Sequence, residues 1–396
     1  METLKPQALA LQDELTALRR EFHMHPELGL CEFRTAARIE EELDRLGVAH
    51  RRVGETGVWA SIRGAGQGRG AVLLRADIDA LPITELNNVP YRSQNAGVMH
   101  ACGHDAHTAC LLGAAKLLAQ NRESFGGEVR LVFQPAEECA STPERFIAEG
   151  VLDGVCRVFG LHCAPDLPSG TVGFKPGPNN AGVDRFDVTV HGRSAHVATP
   201  QLGVDALYIA SQIVVALQAL VTRRSDPVEP LLIGVGKLTA GTAYNAVAQT
   251  AALEGTTRTV THETRLRVRE EITKLVQSVA EAYGGTAEIA WDEFASPLVN
   301  DASAAAELKA LTERYFPEKR VVTDRTISLT GDDFAEFILN TPGAYAYLGT
   351  HDPARPETGH NIHSAYFDVD ETALPFGAWL YAASAIGWLK DDLSAR

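Results

Sequence analysis

The chain carries no CxxC pair, no block of like charge, no internal repeat and no low-complexity segment. Its six cysteines stand singly at 31, 102, 110, 139, 156 and 163. Unpaired, and in a compartment that keeps thiols reduced, each reads first as a buried structural thiol. Cations are in short supply: 36 Lys and Arg face 51 Asp and Glu, a formal charge of −15. No basic surface is there to meet a phosphate backbone or an anionic membrane, so neither nucleic acid nor membrane is an expected partner. Apolar runs fall far short of the roughly eighteen residues of a membrane span, and none is expected. The opening "METLKPQALALQDELTALRREF" lacks an apolar core run and carries Glu2, Asp13 and Glu14, unlike a signal peptide. The expected location is the cytoplasm.

What is present is ordinary for a globular enzyme: 45% hydrophobic and 22% charged residues. At 396 residues the chain exceeds the usual size of one core, so two domains are expected. Leu4, Ala8, Leu11, Leu15 and Leu18 recur at helical spacing and predict one amphipathic helix. A second helix follows, with apolar face Ala36, Ile39, Leu43 and Leu46, a cap at Glu32 or Thr35, and Gly47 at its end.

Buried strands are predicted at 71–76, at 127–133 and in "CRVFGLHCAP", with a helix over about 105–120 between the first two. Strands alternating with helices imply an α/β fold with a mostly parallel sheet. Ligands then sit beyond the carboxyl ends of the strands, where Asp77, Glu137, Glu138 and His162 are expected. From about 183 the texture changes. Four strand patterns and two helix patterns, 203–221 and 262–283, fall in the order β-α-β-β-α-β of ferredoxin-like units. This block, 183–295, reads as an insertion into a larger domain made of 1–182 and 296–396. The larger domain resumes with a helix, 302–315, the strand "GAYAYLGT" and a last helix, about 371–390.

Four short segments carry chemistry. "MHACGHDAH" sets Cys102 and His104 two residues apart at the mouth of a helix, a sulfur and a nitrogen that suit zinc and similar ions. By itself this is also compatible with helix capping, with Asp105 as the cap. "QPAEE" puts Glu137 and Glu138 side by side after a buried strand. Neighbouring side chains in a loop diverge, so one can bind metal while the other serves as a base with its pKa raised by burial and like charge. His162 ends an apolar strand and His363 lies near the last helix; each alone is unremarkable. Together, Cys102, His104, Glu138, His162 and His363 are five ligands from four segments. Five ligands can hold two ions about 3.5–4 Å apart if one bridges, and a Cys102 thiolate can bridge.

The sequence resembles the bimetallic aminoacylase/carboxypeptidase amidohydrolases, in the branch of hippurate hydrolases, indole-3-acetyl-amino-acid hydrolases and N-acetyl-diaminopimelate deacetylases. The likeness runs nearly end to end: "HPELG" at 25–29, "RADIDALP" at 75–82, "MHACGHDAH" at 99–107, "FQPAEE" at 133–138, "GLH" at 160–162, "SAHVATPQLGVDA" at 194–206 and "HSAYFDVDE" at 363–371. The resemblance implies that Cys102, His104, Glu138, His162 and His363 hold two divalent ions, zinc first, with manganese, cobalt or nickel also suited. It implies Glu137 as general base, and the inserted block as a lid or dimerisation domain, hence a homodimer or higher homo-oligomer. The implied reaction is hydrolysis of N-acyl amino acids, hippurate-like or N-acetyl, by a metal-bridged hydroxide. His196 is the candidate oxyanion donor, and Asn245 and Arg258 the candidate grip on the substrate carboxylate. Asp77, Asp79 and Asp105 are expected to orient ligand histidines.

The chain departs from the family pattern at "LTGDDF", 329–334, and "NAVAQ", 245–249, both on the substrate side. Other readings are peptidase activity of the dipeptidase or carboxypeptidase kind in the same site, a Cys102 nucleophile with His104 as base, and a non-catalytic relative. The cysteine reading leaves Glu137, Glu138, His162 and His363 without a task, and a non-catalytic relative would be expected to lack the base or a ligand.

Overall fold

Seven consecutive buried residues, Ala71–Asp77, form a central strand of the larger sheet. The computed structural model describes residues 1–66, 68, 70–139 and 142–390. They fall into two units: Met1–Gly177 with Asn300–Thr326 and Glu336–Arg396, and Pro178–Val299 with Ile327–Ala335.

The first unit holds an eight-stranded sheet in the order Ala49–Val53, Gly57–Arg63, Glu128–Gln134, Ala71–Asp77, Val155–Pro168, Gly343–His351, Thr171–Gly173, Arg320–Val322. The four strands from Glu128–Gln134 to Gly343–His351 are mutually parallel. Antiparallel strands extend this block on one side. Asp77 pairs with Gln134, which brings the end of one strand beside the turn that carries Glu137 and Glu138. Helices His104–Gln120 and Leu374–Lys390 are buried on nearly every face, as expected of helices inside a layered α/β core. Trp379, Phe376 and Leu380 of the second join Leu111, Leu117 and Leu118 of the first in one apolar cluster with the strands.

Three local expectations change. The single N-terminal helix is two, Leu4–Leu9 and Gln12–Met24, with buried Leu11 at the break. His162 does not end its strand: Val155–Pro168 continues because Cys163 and Ala164 still pair with Leu348 and Gly349. The helix Phe33–Arg45 has Glu32 at its N-cap position, but Glu32 makes no cap bond. The carboxylate of Glu27 accepts from the amides of Arg34 and Thr35 instead, leaving Glu32 free to turn elsewhere.

The second unit runs β-α-β-β-α-β: Gly182–His191, Ala206–Ala219, Leu231–Ala240, Thr250–Thr259, His262–Ala282, Thr286–Ala295. Its strands order as Thr286–Ala295, Gly182–His191, Thr250–Thr259, Leu231–Ala240, all antiparallel. Asp205 caps the first helix by accepting from the amides of Leu207 and Tyr208; Thr261 caps the second through Thr264. Val268, Ile272, Val276 and Ala280 recur every four residues and form the second helix's buried stripe. Contrary to the expectation of no such stretch, Ala206–Arg224 is long and apolar enough to cross a membrane by length and composition. Its apolarity has a local account, since Ile209, Ile213 and Leu217 pack with Phe186, Val188 and Leu253 in this unit's core.

The expectation assigned 327–335 to the metal-binding part. In the structure it belongs to the second unit, because Ser328 donates its amide to the Asn179 carbonyl and accepts from the Ala181 amide.

Candidate metal centre

Cys102, Gly103 and His104 lead into the helix His104–Gln120. Gly103 has φ 91, in the left-handed region, and a Cβ there would press on the Cys163 sulfur. This turn sends Cys102 and His104 into the same buried space. Glu137 and Glu138 follow Ala136, which has φ 57, and His363 itself has φ 63. Among the described residues only Leu30 joins them as a non-glycine with positive φ. Such backbone is uncommon and concentrates at functional sites.

The five expected ligands converge. The ligand atoms of Cys102, His104 and His162 lie within 4.8 Å of one another, and so do those of Cys102, Glu138 and His363. Cys102 thus belongs to both groups, the position a bridging ligand requires. His104, Glu137 and Glu138 form a third group of the same size. The Cys102 sulfur stands 3.3 Å from His162 Nε2, and Glu138 Oε1 is 3.1 Å from His363 Nε2 and 4.0 Å from His104 Nε2.

Ring orientations are fixed from behind. His104 donates Nδ1–H to Asp79 (3.2 Å) and His162 donates Nδ1–H to the Cys163 carbonyl (2.8 Å), so both Nε2 atoms face the cluster. Among the described residues the buried His104 Nε2 has no hydrogen-bond partner, and the buried Glu138 Oε1 has only the ion-pair contact with His363. Buried polar atoms are rarely left so, and a cation would satisfy both. These residues therefore fit a divalent metal pair.

Electrostatics point the same way. Burial, with the nearby Glu138 and Glu137 carboxylates, pushes the Cys102 thiol well up; a divalent ion would reverse this and hold a thiolate. Burial alone would lower His104, but Asp77, Asp79 and Glu138 outweigh it and raise the imidazole to about 10. The carboxylates around His104 demand a positive charge, which a proton or a metal ion can supply. Burial, then the neighbouring His107, lowers His162 to about 3, keeping it neutral. Burial opposes ionisation of Glu138, yet the imidazoles of His363 and His104 hold it below its ordinary range.

Other expected residues sit differently. Asp77 accepts from His107 Nδ1–H at 2.5 Å and from Arg75 at 2.6 Å, while His104 Nε2 is 3.7 Å away. It orients His107, whose Nε2 accepts the Cys163 amide, so both His107 nitrogens are engaged in holding strand to helix. Asp105, expected to orient a ligand histidine, partners Arg19 and His23 instead, and it is not the N-cap, which is Gly103. Its carboxylate accepts from Arg19 at 2.8 Å and lies 2.7 Å from His23 Nδ1, because the helical turn points successive side chains to different sides. His196, Asn245 and Arg258 belong to the second unit. His196 and Asn245 are exposed, and His196 Nδ1 accepts the Ala198 amide. Arg258 is half-buried, bonded to Thr256, the Thr257 carbonyl and the Leu329 carbonyl.

Sequence reasoning missed Arg19, His23 and Glu85, and read Glu32 only as a candidate helix cap. Arg19, His23 and Glu32 stand on or beside a helix that reads as ordinary amphipathic surface and Glu85 lies in a loop, so only their burial sets them apart.

Comparison with known proteins places this architecture. The model of the peptidase family M20/M25/M40 matches residues 73–386. The N-acetyl-L-cysteine deacetylase of Bacillus subtilis (strain 168) is 40% identical over 376 residues, covering 95% of this chain and 88% of the relative. Thermostable carboxypeptidase 2 of Saccharolobus solfataricus is 36% identical over 391 residues, covering 98% of each. Among solved structures, the Bacillus subtilis YXEP protein, described as a dinuclear metal binding peptidase from the M20 family, superposes with a TM-score of 0.83 at 35% identity, covering 96% of this chain and 99% of that one. The chain belongs to the M20/M25/M40 peptidase family. It is a hydrolase that acts on amide bonds.

Proposed function

We propose that the protein hydrolyses the amide bond of small N-acyl amino acids in a two-metal site. The observation that carries this reading is the buried His104 Nε2, without a hydrogen-bond partner and 4.0 Å from Glu138 Oε1, beside a thiol shared by two groups of potential ligand atoms. Cys102, His104, Glu138, His162 and His363 would hold the ions; zinc fits the donor set, as do manganese, cobalt and nickel. Bound there, the ions acidify a water and polarise the scissile carbonyl.

The chain's own groups do the rest. Asp79 and the Cys163 carbonyl hold His104 and His162 in one tautomer each. Glu137, buried and next to a ligand, takes the proton of the attacking water and returns it to the leaving amine, acting as base and then acid. His196 is assigned as oxyanion donor and Asn245 and Arg258 as the grip on the substrate carboxylate. The enzyme works in the cytoplasm as a homodimer in this reading.

The test is a panel of N-acyl amino acids, with N-acetyl-L-cysteine and hippurate first, against metal-reconstituted protein. Glu137→Gln should lower kcat on the order of a thousandfold with metal content unchanged by elemental analysis. Full activity in that variant would sink the mechanism. A peptidase reading is kept alive by the relative described as a carboxypeptidase; turnover of dipeptides but not of acyl amino acids would favour it.

A further inference from the structure

The backbone between the sheet and the two glutamates is held from both sides. Glu137 lies between two amides, those of Ala136 and Glu138. The Glu138 amide donates to Asp79 Oδ2 at 3.0 Å. The Ala136 amide donates to Glu32 Oε1 at 2.8 Å, across 104 residues of sequence. Glu32 is wholly buried, and burial raises its carboxyl. It stands at the N-cap position of Phe33–Arg45 without capping that helix, because Glu27 does so.

The segment before Glu32 fits the same turn. Leu28 bridges to Ala80, and the Ala80 amide donates to the Glu27 carbonyl at 2.8 Å. Gly29 runs so close that a Cβ would collide with the Cys139 sulfur and lie 3.1 Å from Ala136 Cα. Leu30 takes φ 63 to reach Glu32. Ala136 in turn is held at φ 57, a left-handed backbone that is strained for an alanine and needs an outside restraint to persist.

We propose that Glu32 is a positioning residue for the hydrolytic site: its carboxylate, through the Ala136 amide, fixes the left-handed turn from which Glu137 and Glu138 diverge. One residue is then aimed as base and the next as ligand, with Asp79 securing the far side. This rests on the reaction proposed above, in which Glu137 and Glu138 have those roles.

The test compares Glu32→Gln with Glu32→Met, both of which fill the space. Glutamine keeps an acceptor oxygen; methionine does not. Metal affinity by chelator competition, kcat and KM on the best acyl amino acid, and amide hydrogen exchange of the segment 133–139 are measured at temperatures well below unfolding. Glu32→Gln should stay near wild type in all of them. Glu32→Met should bind metal about 10–100-fold more weakly and lose kcat by a similar factor, with KM nearly unchanged and faster exchange at Ala136 and Glu138. A Glu32→Met variant that loses melting temperature but matches Glu32→Gln in metal affinity and exchange would overturn the proposal. If wild type turns over no acyl amino acid, the reaction proposed above fails. The exchange and metal-affinity contrast still decides the role of Glu32.

Discussion

Two clusters of ionisable groups meet back to back at the first turn of the helix His104–Gln120, and they are built on opposite principles. His104 lies in a set with Cys102, Glu138, His162 and the exposed His363, rich in lone pairs, in which the buried His104 Nε2 has no hydrogen-bond partner. Asp105, the next residue, faces a set in which every carboxylate is matched by a cationic partner. Arg19 reaches Asp105 at 2.8 Å, Asp368 at 2.9 Å and Glu371 at 3.4 Å. His23 lies 2.7 Å from Asp105 and 3.2 Å from Glu85, and Tyr91 donates to Asp368 at 2.8 Å. The lesson is that burial of charge does not by itself mark a site. The matched cluster ties the helix Gln12–Met24 to the metal-side helix and to the segment after His363. The other leaves potential ligand atoms that a cation would satisfy.

That contrast can be broken most severely at Arg19. Removing one partner of a buried, matched network leaves uncompensated carboxylates. Arg19→Met should cost about 3–5 kcal/mol in denaturant unfolding, whether or not metal is present. A loss seen only in metal-loaded protein would mean that the two clusters are not separate devices.

Metal itself sharpens the other half. At a hundredfold excess over its dissociation constant, zinc should stabilise wild type by about 3 kcal/mol. His104→Ala should lose that increment, whereas a folded Arg19 variant should keep it. Thermal unfolding with and without chelator reads both outcomes.

The smallest effect is in pH. Burial opposes ionisation of Glu85 and Asp368, but the His23 contacts of the first and the Arg19 charge beside the second hold both below the ordinary carboxylate range. A depressed folded pKa contributes stability that is complete above the unfolded value near about pH 4 and is lost as pH falls through the folded one. Asp368→Asn should therefore flatten the loss of stability below about pH 5. His23 works with the opposite sign. Burial lowers it and Asp105 and Glu85 more than restore it, so its contribution fades as pH rises. An unchanged acid slope in Asp368→Asn would remove this carboxylate from the matched cluster.

Much of this was legible in residue order. The parallel strands announced themselves as apolar runs ending in acids, and the β-α-β-β-α-β order of the second unit follows from its periodicities. The candidate ligand set could be written down because Cys102 with His104 and Glu137 with Glu138 are unusual donor pairs beside apolar elements, to which His162 and His363, unremarkable alone, add the rest. Asp105 was misplaced because its neighbours in sequence are ligands, while its direction is set by the helical turn toward Arg19 and His23. Segment 327–335 was misplaced because its attachment is a backbone pairing between Ser328 and Asn179–Ala181, which side-chain pattern does not record.

By itself the sequence determined the class of fold, the family and the donor types, since these depend on local periodicity and on which side chains exist. Only the tertiary structure decided which of those side chains share a space. It showed that Cys102 is common to two ligand groups, that His107 is engaged at both nitrogens, and that Glu32 leaves its helix to hold the Ala136 amide. Those outcomes depend on burial and on hydrogen bonds between distant segments. A linear pattern of residues carries neither.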